Sequence, residues 1–175
     1  RIFLLGPSQV FGTGATSDNT TIPGYLQQLL NEKDFGFDIE VINSGMQGAD
    51  SRKELLLLQN ELLRFAPDLV VVYDGFNDLR SGASPTQLLD NWNSMCKLGQ
   101  KHNFGVIVVL QPIIGFSQKS MTQEELVYLQ NSKDYENNNL IDSLDQYKMY
   151  AENLEKLEYC VDKIDLRSVL DNELD

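Results

Sequence analysis

The sequence predicts a three-layer α/β/α domain built on a five-stranded parallel sheet. Short apolar runs alternate with helical periodicity along the whole chain, which is the pattern of repeated strand–helix units. Two of those runs, at 69–73 and 105–110, are continuous and rich in β-branched residues, as strands buried on both faces of a parallel sheet would be. A length of 175 residues with 42% hydrophobic content is enough for one core and one domain.

Each element has its own signal. The apolar run 2–5 is closed by Gly6-Pro7, so it reads as a strand ending in a turn. A polar, glycine-containing loop at 12–21 follows, and then a helix over 22–31, where Pro23 suits the first turn. Residues 39–42 form the second strand candidate. Ser51 and Glu54 have capping-box spacing ahead of an amphipathic helix at 55–65, which Ala66-Pro67-Asp68 stops. After the strand at 69–73, Ser84 and Gln87 cap a helix that runs to about Lys101. The strand at 105–110 breaks at Gln111-Pro112, and Thr122 with Glu125 opens a further helix. A polar interruption at 137–139 precedes a last helix at 141–157, and 161–166 is the fifth strand.

Composition and charge exclude several classes. The net charge of −12 opposes binding to a nucleic-acid backbone, which needs a concentrated basic surface. No stretch approaches eighteen consecutive apolar residues, so no transmembrane segment is expected. The chain opens without Met on an apolar run, which reads as a trimmed start and leaves an upstream signal or anchor open. Cys96 and Cys160 lack metal-site spacing and are expected to be free, partly buried thiols rather than a disulfide. No metal or cofactor is implied.

In an open parallel sheet, ligands bind beyond the carboxyl ends of the strands, so the loops there hold the candidate chemistry. The first strand leads into Gly6-Pro7-Ser8, where a serine hydroxyl can face the crevice. Val10 breaks the Gly-x-Ser-x-Gly elbow, and no Gly-Lys-Ser/Thr phosphate loop occurs. The second leads into Asn43-Ser44-Gly45, where a backbone N–H can approach a ligand. The third leads into Gly75-Phe76-Asn77-Asp78, where Gly75 permits a sharp turn and the Asn77 amide can stabilise a developing oxyanion. Taken singly, each is also ordinary turn chemistry.

Together these residues resemble the SGNH (GDSL-like) hydrolase family. Its ordered blocks are a serine after strand one, a glycine after strand two, Gly-x-Asn-Asp after strand three, and a late Asp-x-x-His. Ser8 matches the first block, with Gly6-Pro7 where the family has Gly-Asp or Gly-Gly. Gly45 matches the second, and Gly75, Asn77 and Asp78 match the third without departure. The resemblance implies a flavodoxin-like SGNH architecture over a single domain of residues 1–175. It also implies acyl transfer in which Ser8 attacks an ester. The Ser8 and Gly45 N–H groups and the Asn77 side chain would bind the oxyanion, and Gly75 and Asp78 would support the turn. The partner implied is a small-molecule ester or an acylated sugar or lipid.

The fourth block is absent. Asp165-Leu-Arg-Ser168 has serine where the histidine belongs, which predicts a chain truncated at its C-terminus. His102, the single histidine, precedes the strand at 105–110 and so belongs to the opposite end of the sheet. Asp74 and Asp78 are paired carboxylates that suit a turn, Gln111-Pro112 suits crevice lining, and Trp92, Tyr128 and Tyr135 suit packing. Residues 117–120 read as a mobile loop over the site. Two competing readings are a non-catalytic binding module on the same fold and a flavodoxin-like domain binding phosphate or flavin through 12–21. The second leaves Gly45 and Asn77 unexplained.

Overall fold

Backbone ladders join five parallel strands: β1 (Ile2–Gly6), β2 (Val41–Gly45), β3 (Leu69–Asp74), β4 (Gly105–Leu110) and β5 (Asp162–Asp165). Their order across the sheet is β2-β1-β3-β4-β5. This computed structural model describes residues 1–116, 118–131 and 140–171. The expected interruption at 137–139, Tyr135 and Ser117 lie outside the described residues.

Seven α-helices accompany the strands among the described residues: α1 (Ser8–Phe11), α2 (Ile22–Asn31), α3 (Ser51–Leu57), α4 (Phe76–Arg80), α5 (Pro85–His102), α6 (Gln123–Asn131) and α7 (Leu140–Leu154). The register pairs Leu4 with both Asn43 and Val71, which puts these three residues on one face of the sheet. The first two helices pack on that face beside β2. Helices α3, α5 and α7 pack on the other, where Phe3, Leu5, Val70, Val72, Val106 and Val108 meet Leu58, Trp92, Met95 and Tyr150. Burial of each such side chain contributes about 1.5–3 kcal/mol.

The capping signals are largely realised. Ser84 and Gln87 form a reciprocal capping box at α5, and Thr21, which the sequence did not single out, accepts from Gly24 N at the start of α2. Thr122 and Glu125 form the same box ahead of α6.

Five expectations need correction. The second strand is not 39–42 but Val41–Gly45, because pairing with β1 carries the ladder on to Gly6↔Gly45. The cap of α3 is Asp50, whose side chain accepts from Lys53 N, while Ser51 and Glu54 point into the core. The single helix expected at 55–65 is α-helical to Leu57, π-helical over Leu58–Leu62 and 3-10 over Leu63–Phe65, and this change of pitch keeps Leu58 and Leu62 buried. Strand β3 is not buried on both faces: Val70, Val72 and Asp74 are buried, but Leu69, Val71 and Tyr73 are half-exposed. Tyr128 is exposed on α6 rather than buried.

The cysteines also depart from expectation, for Cys96 and Cys160 form a disulfide with Cα atoms 4.9 Å apart. Their separation of 64 residues hides the proximity. Cys96 lies in α5, which packs on β4, and Cys160 lies just before β5, whose entry is pinned to β4 by Val161 N donating to Val106 O.

Candidate functional site

The carboxyl ends of β2, β1 and β3 are adjacent, and each delivers one of the sequence-predicted residues. Ser8 opens α1 directly after β1. The turn into it requires Gly6, where a Cβ would meet Val10 Cγ2 at 2.3 Å and the Tyr73 carbonyl at 2.8 Å. Ser8 is half-buried, and among the described residues its hydroxyl makes only a long 3.4 Å bond to Gln9 Oε1. The group is therefore nearly uncommitted.

Gly45 lies across from Gly6 on β2. A Cβ at Gly45 would stand 2.2 Å from Phe11 N, so only glycine lets the end of β2 lie against α1. Its N–H donates to Asn43 Oδ1 at 3.0 Å, and Asn43 Nδ2 reaches Phe11 O at 3.3 Å. The N–H expected to face a ligand thus has an exposed side-chain amide as its present partner.

At the end of β3, Gly75 adopts φ +119° and starts α4. Asn77 Nδ2 donates to Ala49 O at 2.6 Å, in the loop after β2. An amide nitrogen carries two donors, so one N–H remains once this bond is made. Asp78 is an anchor and not the turn or helix cap its position suggested. It is 1% exposed, and it accepts from Ser51 N at 3.0 Å and from Ser51 Oγ at 2.5 Å. Asn91 Nδ2 on α5 donates to the same hydroxyl at 2.8 Å.

Two further carboxyls lie behind this turn. Asp74 accepts from Gly75 N and from Trp92 Nε1 at 2.8 and 3.1 Å. Burial pushes its pKa well up, and repulsion from Glu54 and Asp78 pushes it further. Burial also raises Asp78, but hydrogen bonds from Asp74 and Ser51 partly offset the rise. Glu54, fully buried, is raised well above the ordinary range by burial and then by Asp78 and Asp50. Neither of its oxygens has a hydrogen-bond partner among the described residues.

The other candidates are placed as follows. His102 is exposed in the last turn of α5, at the amino end of β4, and so stands away from Ser8 at the opposite end of the sheet. Asp165 ends β5 and is held by Arg167 through Nε and Nη2 at 2.8–3.0 Å. Gln111 is buried after β4, and its carbonyl accepts from Tyr147. The loop after it is tied down, by Gln118 N to Asp171 and by Lys119 to Glu125. It stands at β4, two strands from β1. A cleft of about 660 Å³ opens beside Gly45, lined by Phe11, Asp18, Asn19 and Asn43 among others.

Sequence reasoning missed Ser51, Asn91 and Glu54. Ser51 and Glu54 carried a capping signature that pointed to the wrong role, and Asn91 carried none.

Comparison with known proteins agrees with this architecture. Residues 4–154 match the model of the GDSL-like lipase/acylhydrolase family. No curated relative matches the sequence. Among solved structures, an acetyl-xylooligosaccharide esterase from Geobacillus is similar with a TM-score of 0.63 and 16% identity, over 98% of this chain and 78% of that one. The psychrotrophic esterase EstA from Pseudoalteromonas gives 0.62 and 17%, over 94% and 75%. AlinE4, an SGNH-hydrolase family esterase, gives 0.59 and 21%, over 100% and 79%.

Proposed function

Because this chain belongs to the GDSL-like lipase/acylhydrolase family, we propose that it forms the nucleophile and oxyanion part of a serine esterase site. The observation that carries the reading is the adjacency of three strand ends, β2-β1-β3, from which Gly45, Ser8 and Asn77 follow in that order.

In the proposed reaction, Ser8 Oγ attacks the ester carbonyl and gives up its proton to a general base. The carbonyl oxygen becomes an oxyanion, and the alcohol then leaves with a proton. Water attacks the acyl-serine, releases the acid and returns the proton to Ser8. The remaining Asn77 N–H and the Ser8 and Gly45 N–H groups are the proposed oxyanion donors, with Gly75 and Asp78 supporting the turn. Each donor contributes on the order of 3 kcal/mol in the transition state. For Gly45 this means exchanging Asn43 Oδ1 for the oxyanion. Asn43 is solvent-exposed, so the exchange costs about one neutral hydrogen bond, roughly 1 kcal/mol. A small ester or an acylated sugar or lipid fits a site of this chemistry. The charge of −12 disfavours nucleic acid.

The test is p-nitrophenyl acetate hydrolysis by the full natural polypeptide. Ser8→Ala abolishes turnover and Asn77→Ala lowers kcat by about 10²–10³. Turnover that survives Ser8→Ala refutes the nucleophile assignment. A second reading, a binding module on the same fold, is favoured by the position of His102, the only histidine of the sequence, at the far end of the sheet. Tight binding of an acylated ligand with no turnover by that polypeptide would establish it.

A further inference from the structure

Ser51 is placed where neither helix capping nor core packing accounts for its hydroxyl. The cap of α3 is already made by Asp50, which accepts from Lys53 N at 2.9 Å. A small residue without a hydroxyl would fill the same volume. Yet Ser51 is fully buried, with its hydroxyl held between two elements: it donates to Asp78 and accepts from Asn91 of α5.

We propose that Ser51 is a positioning residue for Asn77, fixing the loop after β2 against the turn after β3 so that the Ala49 carbonyl sets which way the Asn77 amide faces. The proposal rests on the reading of Asn77 as an oxyanion donor. The terminal torsion of an asparagine is broad, so its backbone alone does not aim the amide. The Ala49 carbonyl aims it, by taking one N–H at 2.6 Å. That carbonyl belongs to a loop, and a loop carbonyl is only as fixed as its anchor. The anchor is two residues on, where Ser51 N and Ser51 Oγ both bond the carboxylate of Asp78.

Asp78 immediately follows Asn77. The loop that orients Asn77 is thus anchored to the same turn that carries it, and any shift of the turn moves the carbonyl with it. Ala49 and Ser51 are fully buried and Asp78 nearly so, which makes these bonds obligatory: a partner lost here is not replaced by water. Asn91 ties the closed circuit to α5.

The experiment measures kcat and KM for p-nitrophenyl acetate in the full natural polypeptide, with active sites titrated by a fluorophosphonate. Ser51→Ala is expected to lower kcat per titrated site about ten-fold while KM stays within about two-fold. Combined with Asn77→Ala, it should add little further loss, because it acts through that side chain. Unchanged kcat in a folded Ser51→Ala protein overturns the proposal, and so do losses that multiply in full. Should Ser51→Ala fail to fold, Asn91→Ala provides the same test at a half-buried position. It is expected to lower kcat about three-fold, again without multiplying the Asn77→Ala effect, and no loss or a full product overturns the proposal. Ser8→Ala and Asn77→Ala run in parallel separate this failure from failure of the esterase reading. If both leave turnover intact, the oxyanion site itself is wrong. If Ser8→Ala abolishes turnover, Asn77→Ala lowers it by about 10²–10³ and Ser51→Ala does nothing, only the positioning role is wrong.

Discussion

Replacing Glu54 with leucine should stabilise this protein, and increasingly so as pH rises. Glu54 is 1% exposed and neither carboxyl oxygen has a partner among the described residues, so the fold buries an unsatisfied polar group. Such a group costs about 1–3 kcal/mol even when neutral. Burial and the neighbouring Asp78 and Asp50 raise its pKa well above the ordinary 4.5, so the native state keeps a proton that the unfolded chain gives up. With a raised acid, stability is fully present below the unfolded value and is lost as pH rises toward the native one. The steepest possible loss is about 1.4 kcal/mol per pH unit for one proton. Glu54→Leu removes both terms. We expect the variant to be more stable by about 1–3 kcal/mol near pH 5, with the gap growing by up to about 2.7 kcal/mol near pH 7. Urea unfolding followed by fluorescence of Trp92, the single and fully buried tryptophan, measures both gaps. A variant less stable at both pH values, or a gap independent of pH, would refute the reasoning.

Two further predictions concern the scaffold. Reducing the Cys96–Cys160 disulfide, which closes 64 residues, should cost about 4 kcal/mol of stability, seen as a lower urea midpoint in dithiothreitol; an unchanged midpoint would exclude the bond in solution. Gly45→Ala puts a methyl 2.2 Å from a backbone nitrogen that cannot turn aside. It should destabilise by about 1–3 kcal/mol or more, and an unaltered unfolding midpoint would count against the close approach of β2 and α1.

The order of elements was legible because hydrophobic periodicity is a local signal. Residues 22–31 and 105–110 fold with the limits their patterns give, and the cap at Ser84 forms as the side chain permits. Ser8, Gly45 and Asn77 could be placed at neighbouring strand ends because topology alone decides that much. What they touch was not legible. Asn43 taking the Gly45 N–H, and Ala49 taking the Asn77 amide, depend on loop paths that no periodicity encodes. Ser51 misled most directly: serine followed three residues later by glutamate is a capping box by spacing, but Asp50 one position earlier does the capping. The disulfide was invisible for a related reason. Two cysteines 64 residues apart become neighbours only when β5 pairs beside β4.

That disulfide also makes residues 96–160 a covalent ring containing β4, α6 and α7. The segment after β4, where the chain passes the carboxyl edge of the sheet, lies inside the ring. The cost of closing a ring grows only logarithmically with its length, by about 0.6 kcal/mol for each doubling. Residues can therefore be inserted between β4 and α7 while the start of β5 stays clasped to α5. That edge is free to vary in length and composition, and the sheet that supports it keeps its register.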